Sequence, residues 1–154
     1  QPDICFVFVG DGQKREALEG MVRDYGLKNV VFVGSQPLEV IPYFLKTSNV
    51  LVHSLKDVPV TRSGVPSKLY EYMASGRPIV FGSHDGEAIN ELEKAGGALA
   101  FPPDNPEKLC DLIMALKDGK IDGEQLGSKY LEYARDHHAR ELWATKYLEA
   151  IHKI

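Results

Sequence analysis

Short apolar runs alternate with amphipathic stretches along most of this chain. Residues 4–9 (ICFVFV) are apolar at every position, as expected of a strand covered on both faces. The run ends in Gly10-Asp11-Gly12, and residues 13–25 follow with a helical period that turns Leu18, Met21 and Val22 inward. Residues 29–34 (NVVFVG) predict a second strand, 38–46 a helix, and 49–54 (NVLVHS) a third strand. Residues 55–66 show no period. A stretch that long between elements of a compact domain is usually functional or mobile. A helix then opens at Pro66 and stops at Ser75-Gly76, followed by a strand over 78–82. A short helix over 87–94 and a strand over 98–101 come next. Helical patterns over 106–117, 123–136 and 138–152 end the chain.

Strands alternating with helices at this spacing predict an α/β fold, a Rossmann-like parallel sheet with helices on both faces. In such sheets ligands bind beyond the carboxyl ends of the strands. Those ends are Gly10-Asp11-Gly12, Gly34-Ser35-Gln36, His53-Ser54, the run from Gly82 to Gly86, and Pro102-Pro103-Asp104. Three of them are glycine-rich, which lets backbone approach a ligand closely.

Composition changes this picture little. With 154 residues, 44% of them hydrophobic and 26% charged, the chain suits one soluble domain. A net charge of −4 offers no electrostatic case for nucleic acid or an anionic membrane. Cys5 and Cys110 lack metal-ligand spacing and read as buried free thiols of a reducing cytoplasm. No run approaches a membrane span, and no secretory signal is present. The chain begins Gln-Pro-Asp rather than with methionine, which reads as a piece of a longer protein.

Neither GxGxxG nor a Walker A lysine motif occurs, and Gly10-Asp11-Gly12 alone reads as a tight turn. The helix at Pro66 says more. Proline suits a first turn, where a missing N–H costs nothing. The N–H groups of Ser67, Lys68 and Leu69 then point out of the helix start, an anion site favoured by the helix dipole. Lys68 adds a full charge. Glu71 stands four residues after Ser67 on the same face, within reach of a sugar's vicinal hydroxyls. The bland alternative for Lys68 and Glu71 is a solvated helix face. Tyr70, Tyr72 and Met73 read as core or interface rather than ligand contacts. His53 could touch ligand or fill the cleft floor, and His84 faces the expected cleft mouth. His137, His138 and His152 read as surface residues.

The segments FVFVGDGQKREALEGMV, NVVFVGSQP and GVPSKLYEYMASGRPIVFGSHDGEAINELEKAGGALAFPPDNPEKL, taken in order and spacing, resemble one family. It is the carboxyl-terminal domain of family 4 (group 1) glycosyltransferases, nucleotide-sugar enzymes of GT-B architecture. The likeness spans nearly the whole chain and includes Trp143 and KYLEAI in the tail. The PSK-x-x-EYMA-x-G-x-P form resembles a bacterial branch that works on surface polysaccharides.

The resemblance implies roles residue by residue. Glu71 matches the second glutamate of the family's E-x7-E motif, which binds the nucleotide ribose. The first glutamate falls on Ser63, a departure, and Arg62, Ser63 and Lys68 are expected to share its place near the transferred sugar. Gly34, Ser35 and Gln36 match the backbone that holds the base, and Gly10 to Gly12 a turn lining the donor pocket. The substrate implied is a nucleoside-diphosphate sugar, UDP-sugar foremost, with no cofactor and no metal. Transfer would retain anomeric configuration. The acceptor is a glycan or lipid-linked sugar, held by an N-terminal domain that is missing here. The expected location is cytoplasmic, with the parent protein at the inner face of the membrane.

The resemblance also implies that residues 1–154 are a donor-binding domain lacking its first strand and helix, with an arginine and a lysine that grip the diphosphate. In the family's sheet order that strand is central. Its loss should make the strand over 4–9 pair directly with the strand over 49–54, or recruit a second copy of the chain. Either would leave nucleotide binding weak. Two rival readings share parts of this pattern. A GT-B nucleotide-sugar epimerase would keep fold and donor. A receiver-like binding module would want an acidic cluster at the strand ends, where Asp11 and Asp85 stand but form no cluster.

Overall fold

The protein is described by a computed structural model covering residues 3–56 and 58–152. Asp57, within the unpatterned stretch, lies outside the described residues. The chain divides into two compact units, Gln1–Tyr43 and Phe44–Ile154.

In the first unit, β1 (Phe6–Val9) and β2 (Val30–Gly34) pair in parallel around α1 (Arg15–Asp24). The register sets Phe6 beside Val30 and Phe8 beside Phe32, whose rings stack at 5.1 Å. Asn29 Nδ2 donates to the Ile4 carbonyl at 2.8 Å and holds the entry to both strands. A 3-10 turn (Leu38–Val40) leads into α2 (Ile41–Thr47), where the two units meet in sequence.

Here the burial expected from the pattern is corrected. Phe6, Val7 and Phe8 are 38%, 50% and 48% exposed, so β1 is not covered on both faces. Leu18 and Met21, expected inward, are exposed, and Val22 is only half-buried. Two strands and one helix supply too little surface to cover an all-apolar strand. Cys5 and Cys110 are likewise exposed, not buried.

The second unit holds β3 (Leu51–Ser54), α3 (Pro59–Arg62), α4 (Ser67–Ser75), β4 (Ile79–Gly82), α5 (Glu87–Lys94) and β5 (Leu99–Phe101). Three more helices follow: α6 (Pro106–Lys117), α7 (Gly123–His138) and α8 (Arg140–Ile151). The strands run parallel in the order β3-β4-β5. The core joins Leu69 and Met73 of α4, Ile79 and Phe81 of β4, Leu92 of α5, and Leu126 and Tyr130 of α7. Each of these is at most 8% exposed, and the Tyr130 hydroxyl donates to the Gly97 carbonyl at 2.6 Å.

Local chemistry sets the helix bounds. Asn105 caps α6 by accepting from the Lys108 N–H, and Asp122 caps α7 by accepting from the Gln125 N–H, both at 2.8 Å. α4 ends at Gly76, left-handed at φ 73°. A Cβ on Gly127 would overlap the Gly76 carbonyl, so glycine is what lets α7 lie against the end of α4. α3, within the stretch expected to lack structure, starts at Pro59. No helix among the described residues is long and apolar enough to cross a membrane.

Each unit carries its own parallel pairing. Among the described residues β1 pairs with β2 in the first unit, and β3 with β4 in the second. Unpaired backbone groups are costly only when buried away from water. The side chains of β1 are partly exposed, so its unpaired edge groups can be hydrated.

Candidate functional site

The strand-end residues of the first unit assemble around two glycines. The Gly10 N–H donates to the Gly34 carbonyl at 2.8 Å, joining the carboxyl ends of β1 and β2. The Gly12 N–H donates to Asp11 Oδ1 at 2.9 Å, and Gln36 Nε2 donates to the Val33 carbonyl at 3.3 Å. Ser35 is exposed beside them. Sequence reasoning missed Arg15. A Cβ on Gly34 would lie 3.0 Å from its Nη1, so the guanidinium stands at the same turn. Arg15 Nε donates to Glu19 at 2.8 Å, and Asp11 approaches Nη1 at 4.0 Å. A basic residue three places after Gly12, at a helix start, was the available signal.

The remaining predicted residues lie in the second unit. Ser67, Lys68 and Glu71 are exposed on the first turns of α4. Among the described residues neither the Lys68 nor the Glu71 side chain takes part in a hydrogen bond or an ion pair. One expectation is corrected. The Leu69 N–H is not free, since it donates to the Pro66 carbonyl at 2.9 Å, which leaves Ser67 and Lys68 as the outward donors. The i−3 bond closes the first turn as soon as the geometry allows.

Arg62 and Ser63 sit where α3 meets the start of α5. Arg62 Nε lies 3.6 Å from Asp85 Oδ1, and Ser63 Oγ donates to the Val60 carbonyl at 3.1 Å. Gly86 has φ 112°, and a Cβ there would stand 2.5 Å from the Arg62 carbonyl oxygen. Only glycine lets the chain before α4 dock so closely on the turn after β4. Ser83 Oγ braces that turn by donating to the Asp85 carbonyl at 2.9 Å.

His53 points into the fold. Its ring lies edge-on to Tyr72 at 6.2 Å and tilted on Phe81 at 5.2 Å, and its Nε2 is buried with no hydrogen-bond partner. Burial, then the charge of Lys68, lowers its pKa, so the imidazole is neutral at pH 7. Tyr70, Tyr72 and Met73 pack on the core as expected. His138 is no surface residue: its Nε2 is 2.9 Å from Glu91 Oε1 and its side chain is only 19% exposed. Its partner is 47 positions away, beyond any local pattern.

A cavity of about 300 Å³ at the carboxyl ends of β3 and β5 is lined by Ser54, Leu55, Lys56, Pro103 and Asp104, of which Ser54, Pro103 and Asp104 belong to the strand ends read from the sequence and none is given a ligand role there. Among the described residues no group of three His, Cys, Asp or Glu side chains could hold a metal ion. The predicted residues thus form two groups. Gly10, Gly12, Gly34, Ser35 and Gln36 gather at the strand ends of the first unit, and Arg62, Ser63, Ser67, Lys68 and Glu71 between β3 and β4 in the second.

The fold is shared with known proteins. The Anabaena protein Alr3699/HepE, solved in complex with UDP, superposes with a TM-score of 0.83 at 18% identity, covering 100% of this chain and 42% of that one. This likeness matches the Rossmann-like α/β arrangement. The amylovoran biosynthesis glycosyltransferase AmsK of Erwinia amylovora is 32% identical over 124 residues, 77% of this chain and 30% of that protein. The alpha-D-kanosaminyltransferase of Streptomyces kanamyceticus is 28% identical over 118 residues, 75% of this chain and 29% of its own length. The chain therefore spans about three tenths of the length of these curated relatives. The family model described as glycosyl transferases group 1 matches residues 1–118, and the chain belongs to that family.

Proposed function

We propose that this chain binds the nucleoside-diphosphate sugar, UDP-sugar foremost, for a retaining, metal-independent glycosyltransferase of bacterial surface polysaccharide synthesis. The sugar passes to a glycan or lipid-linked acceptor. The observation that carries the reading is the exposed start of α4. A lysine and a glutamate stand there, and among the described residues neither side chain is in a hydrogen bond or ion pair, on a helix with no side-chain N-cap. The family membership gives these two charges a ligand to serve, and Alr3699/HepE was solved with UDP.

The chemistry follows from charge. Sugar transfer releases a nucleoside diphosphate, and its growing negative charge must be stabilised. The Ser67 and Lys68 N–H groups, the α4 dipole and the Lys68 ammonium supply positive potential at one point. Glu71, an acceptor only, suits the ribose hydroxyls. Arg62 and Ser63 stand nearer the turn after β4, on the sugar's side of this reading. In the first unit, taken by itself, the family resemblance matches Gly34, Ser35 and Gln36 to the backbone that holds the base, and Gly10 and Gly12 to a turn lining the donor pocket.

Titration of the chain with UDP, followed by NMR, tests the reading. Shifts should concentrate at residues 67–71, and binding should be weak. Glu71→Ala should weaken it by about 1.5–3 kcal/mol, the worth of hydrogen bonds to a charged group. Unchanged affinity would return Glu71 to a solvated helix face. Activity of a longer protein carrying this chain should survive EDTA, and product analysis should give a glycoside rather than an epimerised nucleotide sugar.

A further inference from the structure

A buried carboxylate lies outside the residues considered so far. Glu91 of α5 is 8% exposed and accepts three hydrogen bonds. The Tyr133 hydroxyl donates at 2.9 Å, His138 Nε2 lies at 2.9 Å, and Lys94 Nζ donates at 3.3 Å. Tyr133 and His138 both come from the end of α7, so one carboxylate ties α5 to α7. The cluster continues. The His138 ring lies against Tyr70 of α4 at 4.1 Å, and His137 against Tyr133 at 4.5 Å. Tyr70 stands between Lys68 and Glu71 in sequence.

We infer that Glu91 and His138 are positioning residues for α4: the bond between them fixes the imidazole against which Tyr70, and so the Lys68–Glu71 end of the helix, is seated. The inference rests on the reading of α4 as the nucleotide helix. Its physical basis is the cost of the alternative. A carboxylate this deep must keep its partners, because an unpaired buried charge is far costlier than the pair is worth. Glu91 therefore holds His138 in one place, and an aromatic contact passes that position to α4. The groups facing Glu91 are Tyr70 from α4, Lys94 from its own helix, and Tyr133 and His138 from α7. Burial and then the Glu91 charge push the Tyr70 hydroxyl up, consistent with their closeness.

A double-mutant cycle on UDP affinity, read by NMR titration of the full chain, tests this. Tyr70→Ala and Glu91→Ala should each weaken binding about three- to tenfold, and the double variant no more than the worse single, the mark of coupled residues. Glu91→Gln, which keeps an acceptor oxygen for Tyr133 and His138, should recover most of the affinity. If Glu91→Ala fails to fold, His138→Ala replaces it in the cycle. Single factors that multiply in the double variant, or folded singles with unchanged affinity, would overturn the inference. Should the unmodified chain show no UDP binding, the nucleotide reading fails by itself. The same cycle on amide hydrogen exchange of residues 69–73 then decides the positioning: non-additive gains uphold it, and additive or absent gains overturn it.

Discussion

β1 and β4 are nearly the same strand in chemistry and opposite in fate. Phe6–Val9 reads FVFV and Ile79–Gly82 reads IVFG. β4 lies between β3 and β5, with Ile79, Val80 and Phe81 at 0% exposure. β1 has one strand partner, and its phenylalanines remain 38% and 48% exposed. An all-apolar run states what a strand can tolerate on both faces. Whether it is covered depends on neighbours that the run itself does not encode. The sharpest test of this contrast is truncation of matched rings. Phe81→Ala should cost about 3–5 kcal/mol in urea denaturation, transfer and cavity terms together. Phe8→Ala, already half in water, should cost about 1 kcal/mol. Equal losses would mean that β1 is covered in solution.

Two glycines extend the comparison from side chains to backbone. Gly26 follows α1 at φ 63° with open space around its Cβ position, and Gly86 precedes α5 at φ 112° against the Arg62 carbonyl. Gly86→Ala meets both backbone strain and a rigid neighbour and should cost about 2–3 kcal/mol. It should also loosen the Ser63 loop, visible as faster exchange at residues 59–64. Gly26→Ala meets the strain alone, about 1 kcal/mol. The ratio of the two, taken from denaturation midpoints, measures how firmly α3 is docked.

Much of this was legible in the sequence where signals are local. The helical patterns over 106–117 and 87–94 return as α6 and α5 with the expected bounds. Pro66 announces α4, and the exposure of Lys68 and Glu71 follows from their place on its outward face. α3 was hidden because a single turn shows no period. The break between α7 and α8 falls at Ala139, whose extended ψ of 137° no preference of alanine foretells. The bond between Glu91 and His138 depends on a long-range partner, so it cannot be read from a window of sequence.

Acid should act on the second unit through Glu91. Burial pushes its pKa up, but the hydrogen bonds from Tyr133, Lys94 and His138 outweigh this and hold it below its ordinary 4.5. A carboxylate depressed in the folded state adds stability above its unfolded pKa and loses it as pH falls through the folded one. The unmodified chain should therefore lose stability below pH 4.5 more steeply than Glu91→Gln, whose amide does not titrate. Other carboxylates are common to both, so the difference between the two acid curves isolates Glu91. Parallel curves would mean that the carboxylate is not held as an anion in the fold. The Tyr133 hydroxyl, pushed up to about 12 by burial and then by the Glu91 bond, stays a donor throughout this range.

The smallest expected effect concerns single amides at the free edge of β1. The Phe6 N–H donates to Asn29 and the Gly10 N–H to Gly34, both at 2.8 Å, so even-numbered residues of this strand face β2. Strand alternation then turns the Val7 and Val9 N–H groups toward the unpaired edge. Those two amides should exchange near the rate of an unstructured chain, while Phe6 and Phe8 are protected. In β4, flanked on both sides, every amide from Ile79 to Gly82 should be slow. Protection of Val7 and Val9 that vanishes on dilution would show a second copy of the chain on the edge, since two-strand ribbons with a free apolar edge invite pairing. Protection that survives dilution would mean the edge is covered within one chain, and the contrast between β1 and β4 would then be one of degree.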